Sequence, residues 1–246
     1  MAATSIVTGG TRGIGAAITR RLAREGAHVA AVYRSDDAAA RTFAAQVAAE
    51  GLDVSVHRAD LGDASACHAV VSEIVERWGP VPHLVNNHGV LLEAKVAETS
   101  VEMWDQIFAV NVRAAFLLTQ ALWPSMEAER YGRVVNVGSV TATTGNPKEA
   151  AYGASKAALT GLTRSLARAG AHKGITVNCV VPGVYETDMT NNMSEDDQRV
   201  IASMIPVRRR GRPEELAHVV AMLLHPDGGY VTGAVLQADG GLGMGA

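Results

Sequence analysis

Short runs rich in β-branched residues alternate along this chain with longer stretches whose apolar positions recur at helical spacing. "TSIVTG" (4–9) precedes a helical pattern over 13–25, "HVAAVY" (28–33) one over 36–50, and "DVSVHR" (53–58) one over 63–77. Further strands are predicted at "HLVNN" (83–87), "GRVVNVGS" (132–139), "ITVNCVVP" (175–182) and "AVLQADGG" (234–241), with helices over 101–129, 152–171 and 213–224. Strand, helix, strand in strict succession predicts an α/β protein. About seven parallel strands form a doubly wound sheet with helices on both faces, as a single domain over 1–246. The alternation breaks between Pro182 and Pro213, where "ETDMTNNMSEDDQRVIASMI" reads as one or two short helices. A long excursion of this kind, near 186–212, is either a small lid or a surface insertion. The Gly-rich tail from Gly240 is either loose or pinned by a neighbouring subunit.

Composition changes this picture little. A chain of 246 residues, 48% hydrophobic and 19% charged, suits a compact core. The net charge of −3 offers no basic stripe for a nucleic acid. No basic segment followed by an apolar run opens the sequence, and no uninterrupted apolar stretch of membrane-spanning length is evident, so a cytoplasmic protein without a membrane partner is expected. Cys67 and Cys179 fall in a predicted helix and a predicted strand and are read as separate reduced core thiols. No metal site is expected.

The candidate chemistry begins after the first strand, with "TGGTRGIG" (8–15). Glycines 9, 13 and 15 permit a tight turn that brings backbone N–H groups and a helix N-terminus against a diphosphate, and a strand before and a helix after are the context that a dinucleotide loop of the Rossmann type demands. At the end of the second strand, where an acidic residue would accept the ribose hydroxyls of NAD, stand Arg34 and Ser35. A guanidinium pairs with a 2′-phosphate instead, and Arg12 can converge on it, so NADP(H) is expected over NAD(H). Asp36 and Asp37 argue the other way, and two solvated arginines are the plain alternative.

"AYGASKAALTGL" (151–162) places Tyr152 and Lys156 four apart on one helix face. A neighbouring ammonium stabilises a phenolate, and lowering the phenol by about three units takes roughly 4 kcal/mol, within reach of one lysine plus a cationic nicotinamide. The pair reads as an acid/base device.

"TGGTRGIG", "NNHG" (86–89), Asn111 in "VNV", Ser139 in "VGS", "YGASK" (152–156) and "PGVYET" (182–187) occur in the order and spacing of the short-chain dehydrogenase/reductase family, which this chain resembles over nearly its whole length. The likeness within that family is greatest to 3-oxoacyl-[acyl-carrier-protein] reductases. It implies NADPH-dependent reduction of a ketone by Asn111, Ser139, Tyr152 and Lys156. Ser139 and Tyr152 hold the carbonyl oxygen, Tyr152 supplies the proton, Lys156 binds the nicotinamide ribose, and Asn111 holds a water that leads protons to Lys156. For the cofactor it implies Gly9, Thr11, Arg12, Gly13, Ile14 and Gly15 at the diphosphate, Arg34 and Ser35 at the ribose, Asp60 and Leu61 at the adenine, Asn87 and Gly89 beside the adenosine, and Pro182, Gly183, Val184 and Thr187 around the nicotinamide. The family's usual Asn-Asn-Ala-Gly run is altered: His88 replaces alanine, and is expected to be packed and hydrogen-bonded rather than catalytic.

A homotetramer is also implied, as are basic residues beside the active-site mouth for an acyl carrier protein, at positions matching Arg130 and Lys173. The run "VRRRGRP" (207–213) is a solvated loop or a further anchor for a carrier or a coenzyme A phosphate. A free ketone, sugar or polyol remains the alternative substrate, and a non-catalytic NADP-binding sensor the remote one.

Overall fold

The computed structural model describes residues 3–187, 190 and 194–245. All seven predicted strands form, in one parallel sheet: β1 (Thr4–Thr8), β2 (His28–Tyr33), β3 (Val54–Arg58), β4 (His83–Asn86), β5 (Gly132–Val137), β6 (Ile175–Pro182) and β7 (Val235–Ala238), in the order β3-β2-β1-β4-β5-β6-β7. Successive side chains leave a strand on opposite faces, so adjacent apolar residues feed different cores. Ile6, Leu84 and Val134 pack against α3 (Ala64–Trp78), α5 (Ala114–Ala128) and α7 (Ala150–Gly170). Val7, Val85 and Val135 pack against α1 (Gly13–Arg24) and α9 (Pro213–Leu224) on the other side. Phe43 and Val47 of α2 (Asp37–Ala49) cover Ala31 beside them.

The stretch read as one helix over 101–129 is two, joined by a π turn. α4 (Val101–Phe108) runs into Ala109–Arg113, where the Ala114 amide reaches back five residues to the Ala109 carbonyl, and α5 follows. Hydrophobic periodicity is blind to one extra residue in a turn. The same run, Val101–Ala128, holds an 18-residue window of mean hydropathy 1.2, enough for a membrane span by length and composition alone, although polar and charged residues interrupt the run. Its apolar character serves the core instead, since Leu118, Leu122 and Met126 are buried against the sheet.

The excursion after β6 is closed at its stem: Gly211 N–H donates to Val184 O at 3.0 Å, and Glu186 N–H to Gly211 O at 2.8 Å. It carries α8 (Glu195–Met204), while residues 188, 189 and 191–193 of the expected lid lie outside the described residues. The tail is pinned from within the chain, because the Asp239 carboxylate accepts Gly241 N–H and Gly243 N–H, each at 2.8 Å.

Candidate active site

The strand order reverses between β1 and β4, and the crevice at the carboxyl ends of the strands there is where this architecture binds ligands. The glycine loop opens into it. Gly9 (φ +62°) and Gly13 (φ +49°) adopt the left-handed conformation, and a Cβ on Gly15 would lie 2.0 Å from the Gly9 carbonyl oxygen. Asn87 braces this turn rather than facing outward: its Nδ2 donates to Thr8 O at 3.0 Å and to Gly9 O at 3.3 Å. Arg12 is the N-cap of α1, and no side chain caps that helix, whereas Asp36 and Asp63 cap α2 and α3. An uncapped first turn beside a glycine cradle fits a diphosphate. Thr187 closes the cradle, with its Cγ2 3.3 Å from where a Gly13 Cβ would stand. Thr11 is buried, and the Ile14 side chain packs into the core, so only its backbone faces the loop.

At the rim, Arg12 and Arg34 are joined by an arginine that the sequence reading passed over. Arg58, at the end of β3, donates from Nε to Arg34 O at 3.3 Å and from Nη1 to Asp37 Oδ2 at 3.4 Å. Arg12 Nη1 lies 3.5 Å from Asp36 Oδ2, while Asp36 Oδ1 caps α2 through Ala39 N–H. Both opposing aspartates are thereby engaged. Arg34 and Ser35 are exposed there. At the expected adenine position the Asp60 carboxylate accepts Gly62 N–H at 3.0 Å within its own loop, and the Leu61 side chain is buried in the core. Leu61 has only its backbone to offer an adenine.

Ser139 follows β5, the short helix α6 (Thr141–Thr144) comes next, and Tyr152 and Lys156 stand on α7 beside it. Ser139 lies close enough to the Tyr152 phenol to pull its pKa down, and its Oγ accepts Thr141 N–H at 3.2 Å. Lys156, only 4% exposed, donates from Nζ to Val137 O at 2.8 Å, with Nζ 5.9 Å from the Tyr152 ring centroid. Gly89 admits the ammonium, since a Cβ there would lie 3.2 Å from Nζ. The lysine by itself does not lower the Tyr152 pKa. Burial raises the phenol, against the downward pull of Ser139, and burial brings Lys156 down to about 8. With its ammonium on a backbone carbonyl, the lysine does not offset the desolvation of the phenol. A lysine near 8 does exchange protons at neutral pH far more readily than an ordinary one.

Asn111 lies in the π turn and is buried. Its Nδ2 donates to Val90 O at 3.1 Å and to Ser155 Oγ at 3.0 Å, its Oδ1 accepts Val90 N–H at 2.8 Å, and Ser155 Oγ donates to Tyr152 O at 2.7 Å. Ser155 therefore links Asn111 to the helix of Tyr152, a role that a small polar residue in mid-helix gave little reason to expect. Pro182, Gly183 and Val184 lie at the end of β6, with Gly183 against Asp239, where a Cβ would come 2.8 Å from Cα.

His88 is hydrogen-bonded from both ring nitrogens, as expected, to Thr8 Oγ1 at 2.7 Å and to Val110 O at 2.8 Å. Burial brings both His88 and His83 down to about 4. A histidine with a depressed folded pKa contributes stability that is complete above its unfolded value, about 6.5, and is lost as pH falls toward 4. Each is expected to cost on the order of 3 kcal/mol by the bottom of that window. Urea unfolding at pH 7 and pH 4.5 checks this, and replacing His83 and His88 by Gln should flatten the slope.

Arg130 and Lys173 are not beside this site. They follow α5 and α7 at the amino ends of β5 and β6, about 20 Å from Ser139 along a strand of six residues. Arg130 Nη2 donates to His172 O at 3.2 Å, and Lys173 is ion-paired with Glu127. The arginines of 208–212 serve the excursion. Arg209 grips Glu215 at 2.7 and 2.8 Å, Arg208 donates to Ser203 O, and Arg210 donates to Thr190 O at 3.1 Å.

Residues 9–243 match a family model described as Enoyl-(Acyl carrier protein) reductase. The chain is 39% identical to an acetoacetyl-CoA reductase of Allochromatium vinosum, covering 99% of this chain and 100% of that one. It is 35% identical to a 3-oxoacyl-[acyl-carrier-protein] reductase of Staphylococcus aureus, covering 99% of each. Among solved structures it resembles a blue fluorescent protein from a metagenomic library in complex with NADPH (TM-score 0.90, 38% identity, covering 98% of this chain and 97% of that one). It also resembles a putative gluconate dehydrogenase from Agrobacterium tumefaciens (TM-score 0.93, 27% identity, covering 99% and 97%). With the glycine loop, Ser139, Tyr152 and Lys156 gathered at one edge of the sheet, these likenesses show that the chain belongs to the short-chain dehydrogenase/reductase family and is an oxidoreductase like the 3-oxoacyl thioester reductases.

Proposed function

We propose that the protein uses NADPH to reduce the β-keto group of a 3-oxoacyl thioester, carried by acyl carrier protein, to a secondary alcohol. The observation that carries the reading is the meeting of Ser139, Tyr152 and Lys156 at the carboxyl edge of β5, opposite a cradle shaped for a dinucleotide. Bound NADPH supplies hydride to the carbonyl carbon. The glycine loop and Thr187 would hold its diphosphate, Arg12, Arg34 and Arg58 its 2′-phosphate, and Lys156 its nicotinamide ribose. Ser139 and Tyr152 donate to the carbonyl oxygen as it becomes an alkoxide, and Tyr152 passes its proton to that oxygen. Lys156, with the Asn111 turn behind it, returns a proton to Tyr152.

Three guanidinium groups against two engaged carboxylates make NADPH the preferred cofactor. Its kcat/KM is expected to exceed that of NADH about ten-fold or more, and Arg34→Asp to invert the order. Equal use of both by the wild type would remove the 2′-phosphate reading.

Trp104, stacked on Phe108 with ring centroids 4.8 Å apart, leaves an exposed apolar face on α4 with Val101, and Phe116 is exposed on α5. This face suits the packing of these helices with α7 across a homotetramer, which light scattering tests directly. Arg130 and Lys173, at the far edge, then act on a carrier only where a neighbouring copy brings them to its active site. Buried free thiols at Cys67 and Cys179 suit a cytoplasmic setting.

The test is NADPH oxidation with acetoacetyl carrier protein, acetoacetyl-CoA, ethyl acetoacetate and an enoyl thioester. Turnover of both β-keto thioesters above the free ester supports the reading. Charge reversal at Arg130 and Lys173 should then raise KM for the carrier alone, in a salt-dependent way. Equal turnover of all β-keto substrates, or an unchanged carrier KM, makes this a reductase of coenzyme A esters or free ketones.

A further inference from the structure

A π turn costs a helix one of its ordinary hydrogen bonds. The Ala114 amide, which an α-helix would aim at Val110 O, goes to Ala109 O, so the Val110 carbonyl needs another donor. His88 is that donor, with Nε2 2.8 Å away. A carbonyl oxygen cannot donate, so Nε2 carries the hydrogen. Nδ1, 2.7 Å from Thr8 Oγ1, is left as an acceptor in the neutral ring, and burial and the Lys156 charge keep the ring neutral. The Thr8 hydroxyl, which also has Val85 O at 3.1 Å, gives its hydrogen to the nearer His88 Nδ1. Its lone pairs accept Asn87 N–H at 3.0 Å and His88 N–H at 3.2 Å.

We propose that His88 is a positioning residue for catalysis, a strut that holds the Asn111 turn in register with the cofactor loop. One end fills the Val110 carbonyl, immediately before Asn111. The other is anchored on Thr8, the last residue of β1 before the glycine loop. From the turn the chain of bonds continues through Asn111 and Ser155 to the Tyr152 carbonyl. Gly89, next to the strut, lies against Lys156. The alanine usual at this position in the family has no donor to give, so the strut is a property of this chain's own histidine. The inference rests on the reductase reading.

Two amides separate the two ends of the strut. His88→Gln places a donor near the position of Nε2, and His88→Asn reaches only that of Nδ1. With ethyl acetoacetate, His88→Gln is expected to keep kcat within about three-fold of wild type, whereas His88→Asn and His88→Ala should lose about ten-fold or more. NADPH Kd, from fluorescence titration, should stay within about two-fold in all three, and thermal unfolding shows whether each is folded. A side chain that merely filled space would not distinguish Gln from Asn. Wild-type kcat in His88→Asn, equal loss in both amides, or a loss confined to NADPH affinity would overturn the proposal. Nitrogen-15 NMR of histidine-labelled wild type is independent of turnover. It should show one imidazole protonated at Nε2 and bare at Nδ1 from about pH 8 to about pH 5, and the opposite tautomer would overturn the strut even in an active enzyme. Absence of any carbonyl reduction by the wild type would fall on the reductase reading instead.

Discussion

Tyr152→Phe is expected to lower kcat for ketone reduction about a thousand-fold while leaving the NADPH Kd within about two-fold. The substitution removes one oxygen and keeps the ring. The lost hydroxyl is both a donor to the developing alkoxide and the source of its proton, and Ser139 can replace only the first of these. Lys156 stays bonded to Val137 O, and the glycine loop is untouched, so the cofactor has the same partners. Removing the hydroxyl of a half-buried phenol should change stability by about 1 kcal/mol at most. Steady-state kinetics with ethyl acetoacetate and NADPH, beside a fluorescence titration, measures both quantities. Residual turnover above about a tenth of wild type would remove Tyr152 from the chemistry.

The second large effect comes from a single methyl group. Gly15→Ala is expected to weaken NADPH binding by about a hundred-fold or more and to destabilise the chain by about 3 kcal/mol. A Cβ at Gly15 would stand 2.0 Å from the Gly9 carbonyl oxygen and 2.6 Å from Asn87 Nδ2. Backbone cannot yield as a flexible side chain does. The loop must open, and with it goes the Asn87 brace that shapes the diphosphate cradle. Gly13→Ala should be milder, because its Cβ would meet only the Thr187 methyl at 3.3 Å, and the strain lies in its φ of +49°. Thermal unfolding and NADPH titration of the two variants check the order. Gly15→Ala binding NADPH as wild type does would show that the cradle is not the cofactor's.

The strands were legible because each is a β-branched run bounded by turn residues, and all seven are where the pattern puts them. The glycine loop was equally plain, with Gly9, Gly13 and Gly15 standing in a strand-turn-helix context. Arg58 escaped notice because nothing in "DVSVHR" says that its side chain turns back along the rim to Arg34; strand order alone brings the two together. The motif matches Leu61 to an adenine contact, and only the fold shows that its side chain belongs to the core, which leaves the backbone for such a contact. No role for Thr8 or Ser155 is legible in the sequence, and each joins two elements far apart in the chain. Arg130 and Lys173 were placed at the mouth by position in a motif, and the parallel strands put them at the opposite edge.

Local physical chemistry thus settles which segments are strands and helices, which loop turns tightly enough for a diphosphate, and that Tyr152 and Lys156 share a helix face. These properties depend on a few neighbouring residues and survive in one dimension. Folding settles everything that depends on distance between segments or on exclusion of water. Burial, and not the neighbouring ammonium, dominates the phenol of Tyr152. Strand order gathers three arginines at one rim, and one extra residue in a helical turn frees a carbonyl that His88, 22 positions away, is built to satisfy. Hydrogen bonding and desolvation act over a few ångströms, and only the fold sets which residues come that close.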